Sequence, residues 1–263
     1  MTAPLLDLTL DPDAGAELAT QLILGERFVV YEIADGRAWG QAALDGYVGY
    51  VAAEGLGPDR PAGRRVTALA SHRYRAPAVK AGTLGELPFL ADLAATGETD
   101  GFAALADGGF APLQHLAPAS GDMVDQALRF LGAPYLWGGR SARGLDCSAL
   151  AQLALIASGT PAPRDSDMQA ALVGAAPGEG EAPRRGDLVF WRGHVGIMAD
   201  GETLLHANAH HMAVALEPFA TAAERIEAAG GHGEATARLR RGRLRLSAGV
   251  RARTEGQLLD IVQ

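Results

Sequence analysis

The sequence predicts an α+β protein in which two small all-β modules precede a domain of helices and strands. Three observations lead to this fold class. Asp-Gly turns separate short strand-like segments in roughly the first 117 residues, and such turns join antiparallel strands. Apolar residues recur at helical spacing from about residue 120 onward, and strand-like segments follow them. Helices followed by a meander of strands are typical of α+β domains.

The first module is predicted over residues 1–57. Residues 22–33 are strand-like, and the Ala34-Asp-Gly-Arg hairpin turn leads into the next strand. A second turn at Asp45-Gly precedes another short strand. Strands joined in this way predict a small antiparallel barrel or sandwich, and the Gly- and Pro-rich residues 57–63 form a linker.

The second module, residues 64–117, repeats the same theme. Thr99-Asp-Gly-Phe resembles the turn at Ala34, and Asp107-Gly-Gly-Phe resembles the turn at Asp45. Two turns with similar flanking residues, separated by one short strand in each module, indicate a duplicated small β unit.

The third domain, residues 118–247, begins with two predicted helices. Ser120 is a candidate N-cap for a helix that starts at Met123 and ends at Gly132. A second, mostly apolar helix is predicted over residues 148–158.

Three strands are predicted after these helices. They cover residues 187–191, 194–199 and 203–207, and an Asp200-Gly turn joins the last two. Residues 248–263 show little periodicity and are predicted to be a loosely ordered C-terminal tail.

Composition narrows the classes of function. The 263 residues carry a net charge of -8, which argues against nucleic acid as a partner. No segment has the roughly 18–20 continuous apolar residues of a membrane span, so we expect no membrane partner. The acidic N-terminal segment lacks the pattern of a signal peptide. A cytoplasmic protein is therefore expected, of an oligomeric state that the sequence leaves open.

The one cysteine, Cys147, lies directly before the second predicted helix. The positive end of a helix dipole stabilises a thiolate, so we expect a reactive thiol there. His194 and His206 lie in the two strands joined by the Asp200 turn, and antiparallel pairing would bring them opposite each other on one face. A single Cys or His is more often structural, but the combination indicates a cysteine nucleophile with its base.

No metal or other cofactor is expected for this chemistry. A single cysteine excludes zinc sites built from several thiolates. Asn208, His210 and His211 lie near His206, but no acidic ligand follows at a recognisable spacing. The alternation of arginine and leucine over residues 238–246 is explained by a strand with one solvated basic face.

Five successive motifs resemble those of the NlpC/P60 cysteine peptidases, which have a reduced papain-like fold. They are Pro134-Tyr-Leu-Trp-Gly-Gly, Leu145-Asp-Cys-Ser, Arg185-Gly-Asp-Leu-Val-Phe-Trp, His194-Val-Gly-Ile and Leu205-His-Ala. The resemblance covers residues 118–245 and implies a Cys147–His194–His206 triad. It also implies that the Tyr135 hydroxyl lies near the oxyanion, beside the backbone N–H of Cys147.

The first two modules resemble the bacterial SH3-like barrels that accompany one subgroup of these peptidases. That subgroup hydrolyses the γ-D-glutamyl–diamino acid bond of murein peptides with a free N-terminal L-Ala. The resemblance implies a murein peptide as partner. It also implies substrate-binding roles for Tyr47, Glu26, Trp137, Ser148, Asp165 and Ser166.

These roles are specific. Asp165 would pair with the free amine, with Glu26 as a second and weaker candidate for that carboxylate, and Tyr47 would face the active site from the first module. Ser148 and Ser166 would bind the α-carboxylate of D-glutamate, and Trp137 would line the groove. From the residues alone, Asp165 and Ser166 are equally consistent with a helix cap or a turn. Tyr50 is the core-packing alternative at the position given to Tyr47, while Trp191 is expected in the core.

Two other functions remain open from the sequence. The chain could be a broader endopeptidase or amidase that acts on intact cell wall, with the SH3-like modules binding the wall. It could also be a binding module with an inactive site, although the intact Cys147, His194 and His206 argue against that. The third amino acid of the peptide, diaminopimelate or lysine, is not determined.

Overall fold

The computed structural model describes residues 2–13, 15–118, 121–172, 178, 180–228 and 237–239. Within these ranges no helix is both long and apolar enough to cross a membrane. Three sequence predictions lie outside the described residues: the Ser120 cap, the arginines beyond residue 239 and the tail at 248–263.

The first module is one antiparallel sheet with the strand order β2-β1-β5-β4-β3. Its strands are β1 (Leu5–Thr9), β2 (Leu18–Ile23), β3 (Phe28–Ala34), β4 (Arg37–Ala42) and β5 (Val48–Ala52). The predicted hairpin turn is confirmed, since Asp35 and Gly36 both have positive φ between the paired residues Ala34 and Arg37. The module has its own small core around Leu8, Leu22 and Val51.

One predicted strand is wrong. Residues 22–33 form the end of β2 and the start of β3 rather than one strand, because the chain turns at Gly25. Gly25 has φ +87°, and a Cβ there would lie 2.1 Å from the carbonyl oxygen of Asp92. Only glycine permits this close approach. The backbone N–H of Asp92 donates to the Leu24 carbonyl at 2.9 Å, so the turn also joins the two modules.

The second module repeats the topology of the first. Its strands are β6 (Arg64–Arg65), β7 (Ala70–Tyr74), β8 (Thr83–Pro88), β9 (Asp92–Leu93), β10 (Ala95–Thr99), β11 (Phe102–Leu105) and β12 (Phe110–Pro112). The five-stranded sheet has the order β10-β11-β12-β7-β8. When its strands are matched to those of the first module by their position along the chain, this is the same order read from the other edge. A short 3-10 helix follows the last strand in each module, Ala53–Gly55 and Leu113–His115. Both orders have two edge strands, so these are SH3-like sheets and not closed barrels.

The third domain combines four α-helices with a five-stranded sheet among the described residues. In chain order its elements are α1 (Met123–Leu128), β13 (Arg140–Ser141), β14 (Gly144–Leu145), α2 (Cys147–Ala157), α3 (Ser166–Leu172), β15 (Leu188–Trp191), β16 (His194–Met198), β17 (Thr203–Asn208), β18 (Ala213–Pro218), α4 (Phe219–Ala228) and β19 (Ala237–Leu239). The sheet order is β18-β17-β16-β15-β19. The elements α3, β18 and α4 had no counterpart in the sequence prediction.

Helix α1 begins with a capping box, in which Asp122 accepts from the backbone N–H of Asp125 and the Asp125 side chain accepts from that of Asp122. The buried helix α2 is confirmed within one residue of its predicted bounds, and Gly159 at φ +82° follows its end. Because α2 packs against β16 and β17, its first residue faces the strands that carry the two histidines.

One hydrophobic core spans the second module and the third domain and also takes in Ile23 of the first module. The rings of Phe89 in the second module and Phe130 in the third domain meet edge to face with centroids 5.6 Å apart. The guanidinium of Arg129 lies over the Phe89 ring at 5.1 Å. A smaller cluster that includes Trp191 and Ala222 packs α4 against the sheet, so Trp191 lies in the core as expected.

Candidate active site

Cys147 is the first residue of α2, and its side chain is buried. Asp146 caps the helix by accepting the backbone N–H of Ala149 at 2.9 Å. The expectation of a thiolate at rest is not met, because burial, followed by the nearby Asp146 charge, raises the pKa of the Cys147 thiol to about 11. The backbone N–H groups of Val195 and Ser148 favour the thiolate but do not offset the burial. The resting sulfur is therefore a thiol that needs a base.

His194 and His206 are joined by a hydrogen bond of 2.8 Å from Nε2 of the first ring to Nδ1 of the second. Their expected alignment is wrong in one detail. Strands β16 and β17 pair with Ile197 opposite Leu205, and that register continues to Gly196 opposite His206. The histidines are diagonal neighbours on one face, and the length of the imidazole rings bridges the offset.

His206 has a second partner that the sequence motifs did not indicate. Its Nε2 lies 2.6 Å from Oε1 of Glu217, which is located in β18. The guanidinium of Arg225, in α4, donates to the same carboxylate oxygen. The side chain of His206 is completely buried. A line of side chains thus runs from His194 through His206 to the ion pair of Glu217 with Arg225.

Both imidazoles are neutral in this environment. Burial, with smaller contributions from His206 and Arg225, lowers the pKa of His194 to about 3. Burial also lowers the pKa of His206 to about 4, although Glu217 opposes this. A neutral imidazole has one donating and one accepting nitrogen, so His194 can act as a base through whichever nitrogen is unprotonated.

Tyr135 lies close enough to Cys147 to feel its charge. Burial, followed by the proximity of Cys147 and Asp146, raises the pKa of Tyr135 to about 12. Its hydroxyl therefore remains protonated at neutral pH and is a hydrogen-bond donor. Tyr135 forms a β-bridge with Leu145, two residues before the cysteine.

The residue before the nucleophile is held by a buried arginine. The Arg164 guanidinium donates to both carboxylate oxygens of Asp146, at 2.9 and 2.6 Å. It also donates to the Ser148 hydroxyl at 2.7 Å and, through Nε, to Oγ1 of Thr20 in β2 of the first module. The Ser148 hydroxyl, buried, donates in turn to Asp146 at 3.2 Å. Ser148 is thus engaged inside the protein, which differs from the substrate contact that the sequence indicated.

Tyr47 and Asp165 are brought together from different domains. The Tyr47 hydroxyl and the Asp165 carboxylate lie close enough to affect each other's pKa. Burial, followed by the Asp165 charge, raises the pKa of Tyr47 to about 12. Burial also raises the pKa of Asp165, against the neighbouring Arg164. Ser166 begins α3 and is half-buried.

Glu26 is occupied by a different partner from the one expected. Its two carboxylate oxygens each accept from the buried guanidinium of Arg140 at 3.0 Å, and one also accepts the backbone N–H of Ile23. Arg140 further donates to the Gln21 carbonyl at 2.6 Å. Glu26 thus joins the first module to the third domain, and its role toward a substrate amine stays a prediction.

Two further positions complete the site. Trp137 is exposed, as a residue lining an open groove would be. His206, His211 and Glu217 offer donor atoms within 4.8 Å of one another, a spacing that a metal ion could span. However, Arg225 already donates to Glu217 there. A divalent ion would have to displace that positive charge, so the donor set fits an ion pair better than a metal.

Two family models match the chain. Residues 9–56 match the bacterial dipeptidyl-peptidase Sh3 domain, and residues 132–224 match the NlpC/P60 family. A crystal structure of an NlpC/P60 family protein from Bacillus cereus ATCC 10987 has a TM-score of 0.70, with 22% identity over 85% of this chain and 82% of that one. At this identity the likeness establishes the fold.

Three curated relatives are similar in sequence. Gamma-D-glutamyl-L-lysine dipeptidyl-peptidase of Bacillus subtilis (strain 168) is 34% identical over 104 residues, 36% of this chain and 34% of that protein. Dipeptidyl-peptidase 6 of Lysinibacillus sphaericus is 33% identical over 90 residues, 33% of this chain and 32% of that protein. A probable endopeptidase of Corynebacterium glutamicum is 37% identical over 103 residues, 37% of this chain and 48% of that protein. The match spans about a third to a half of these relatives.

Proposed function

We propose that this chain is an NlpC/P60 peptidase with a bacterial dipeptidyl-peptidase SH3 domain in front of it, since residues 132–224 and 9–56 match those two family models. The proposed substrate and mechanism proceed from that premise. The proposed substrate is a short murein peptide that begins with a free L-Ala followed by γ-linked D-glutamate. The proposed reaction is hydrolysis of the bond between D-glutamate and the following diamino acid. Cys147 is the proposed nucleophile, His194 its base and His206 the partner that orients the base.

The contact between Tyr47 and Asp165 carries the proposal of a free amine. The pKa of the half-buried Asp165 carboxylate is raised even though Arg164 lies nearby, since the terminal nitrogens of Arg164 are bonded to Asp146. A substrate ammonium would supply a positive charge of its own to Asp165. Burying an ammonium without an anionic partner costs several kcal/mol, on the order of 5. Tyr47 comes from the first module and brings its hydroxyl close to that carboxylate. An N-acetylated peptide would bring no charge and extra bulk to this position.

The mechanism follows from the protonation states. As the Cys147 sulfur attacks the γ-carbonyl carbon, His194 takes its proton, and the carbonyl oxygen becomes an oxyanion that Tyr135 and the Cys147 backbone N–H stabilise. His194 then returns the proton to the nitrogen of the diamino acid as the C–N bond breaks, which leaves an acyl-enzyme. Water, deprotonated by His194, hydrolyses the thioester and restores the thiol.

Peptide hydrolysis tests this proposal. We expect release of L-Ala-γ-D-Glu from tripeptides that end in L-Lys or meso-diaminopimelate, and little or no release from their N-acetylated forms. The Cys147→Ala variant is the control and should lose turnover by at least about 1,000-fold. Equal cleavage of free and acetylated peptides would contradict the amine pocket.

The Corynebacterium relative is named a probable endopeptidase, which is compatible with one alternative that the sequence left open, an endopeptidase that acts on intact cell wall. Release of soluble peptides from purified sacculi, at rates comparable to those on free tripeptides, would support that alternative over the dipeptidyl-peptidase.

A further inference from the structure

Behind the paired histidines lies an ion pair, Glu217 with Arg225, to which neither the sequence motifs nor the family likeness assigns a role. Glu217 is nearly buried near the end of β18, and Arg225 reaches it from α4. The Glu217 oxygen that accepts from Arg225 is the same one that lies 2.6 Å from the His206 ring. His211 lies 4.0 Å from that oxygen.

We propose that Glu217 is a positioning residue, held by Arg225, that fixes the tautomers of both histidines and thereby leaves a basic nitrogen on His194 for the thiol of Cys147. This inference rests on the proposed Cys147–His194–His206 mechanism. It adds a fourth side chain that acts through His206 and does not touch the substrate.

The tautomers of His194 and His206 follow from the carboxylate of Glu217. An ionised carboxylate can only accept hydrogen bonds, so Nε2 of His206 must carry the proton that points at Glu217. Because the ring is neutral, its Nδ1 is then unprotonated and must accept the bond from Nε2 of His194. His194 therefore holds its proton on Nε2, and its Nδ1 keeps a lone pair. If residue 217 instead donated a proton to Nε2 of His206, then Nδ1 of His206 would donate to Nε2 of His194. The remaining proton of His194 would then lie on its Nδ1.

Arg225 contributes in two ways. Burial opposes ionisation of Glu217, but the bond from His206 and the charges of Arg225 and His211 outweigh it and lower the pKa of Glu217. Arg225 also selects one of the two carboxylate oxygens as the shared acceptor. The guanidinium Nε is buried and has no hydrogen-bond partner, and Arg225 contacts Glu217 through a terminal nitrogen.

This geometry gives a distinctive experiment with Glu217→Gln and Arg225→Met. In Glu217→Gln alone, Arg225 still donates to the amide oxygen, which remains the acceptor for His206, and we expect a loss of about 10-fold or less in kcat. In the double variant the amide is free to turn and donate its N–H to His206. We then expect a loss of about 1,000-fold or more, with KM little changed.

The matched controls separate this effect from charge and packing. Glu224→Gln removes an exposed carboxylate from the same helix as Arg225 and should leave kcat unchanged. Arg225→Met alone leaves an accept-only carboxylate and should cost about 10-fold or less. A merely structural role predicts that the two single losses multiply to give the loss of the double variant. Our proposal predicts a loss well beyond that product.

Two readouts do not depend on the peptide. Long-range 15N spectra of the histidine rings should show His206 protonated on Nε2 in the wild type and on Nδ1 in the double variant. The rate at which iodoacetamide alkylates Cys147 should fall in the same order as kcat. Additive losses, or a wild-type His206 protonated on Nδ1, would overturn the proposal. If the tripeptide is not hydrolysed but the spectra and alkylation rates are as expected, the proposed substrate is wrong and the positioning role of Glu217 is supported.

Discussion

The two β-modules have the same strand order, yet they contact the third domain through different chemistry. The second module merges with that domain in one hydrophobic core, where Phe89 meets Phe130. The first has a second core of its own around Leu8 and Val51, adds mainly Ile23 to the shared core, and contacts the domain through polar side chains that include Thr20 and Glu26. Apolar contact is non-directional and stabilises whatever it covers. Hydrogen bonds to charged groups require a defined geometry, so the first module is the one that can position a substrate pocket.

The largest effect is expected from Arg164→Ala at the first module's contact. The variant leaves the buried Asp146 carboxylate without its main cation, which should cost about 3–5 kcal/mol of unfolding free energy. It should also reduce turnover strongly, since Asp146 caps the helix of Cys147. Urea unfolding and peptide hydrolysis measure the two losses. Thr20→Val, which removes only the bond from the first module, should cost about 0.5–1.5 kcal/mol.

In the second module, Phe89→Ala should cost a similar 3–5 kcal/mol or so, because it empties a shared core. Unlike Arg164→Ala, this variant should leave turnover almost unchanged. Under conditions where the variant is folded, kcat/KM should stay within about twofold of the wild type, since no residue of this module reaches the site through a polar bond described above. A loss of specificity for the free amine would contradict the division of roles between the modules.

Acid unfolding should also distinguish the first module from the second module and the third domain. His194 and His206 have pKa values of about 3 and about 4 in the folded protein, below their ordinary 6.5. The unfolded chain therefore binds more protons between pH 6.5 and 4, and stability falls as the pH is lowered through that window. Hydrogen exchange should show the third domain and the second module losing protection together, while β1–β5, with their own core, lose it later. Simultaneous loss in all three regions would contradict separate cores.

Tyr47→Phe should have a smaller effect, confined to specificity. It removes the hydroxyl that lies near Asp165, and the preference in kcat/KM for free over N-acetylated tripeptide should fall by about 10-fold. Tyr50→Phe, three residues along in β5, is the matched control and should keep the full preference. An equal fall in both variants would indicate a general change in the module rather than loss of the contact to Asp165.

The smallest effect is expected at the exposed contact between the second module and the third domain. Arg143 lies 3.4 Å from Glu86, and its side chain is 72% exposed. Solvent screens such pairs, so Arg143→Ala should change the unfolding free energy by about 0.5 kcal/mol or less. Thermal unfolding at low and high salt measures it. A loss above about 1 kcal/mol would mean that polar contacts also hold the second module.

Local sequence rules account for the parts of the fold that were predicted well. The turns at Asp35 and Asp100 need a left-handed residue followed by glycine, and both are found with positive φ. The buried helix after Cys147 follows from an apolar run that ends at Gly159. The break at Gly25 was missed because its cause is contact with Asp92 in another module, which no local pattern records.

The candidate site was predictable to a different degree at each position. Tyr47 and Asp165 were both indicated by sequence motifs, and the structure brings them close to each other from two domains. Glu26 was also indicated, but its partner is Arg140, 114 residues away. Glu217 was not indicated at all, because it lies on a strand, β18, that the sequence prediction lacked. A carboxylate eleven residues after His206 gives no signal until the strand pairing is known.

The sequence by itself determined that a single thiol stands at the start of a buried helix and that two histidines lie on the strands that follow. Turn residues, helix caps and apolar spacing act over a few positions, so these features are local. Only the tertiary structure decided the electrostatics of Cys147. The helix start favours a thiolate, but packing of the strands over it removes water and raises its pKa to about 11. The same packing set the diagonal register of the histidines and placed Glu217 behind them, because both depend on how distant strands meet.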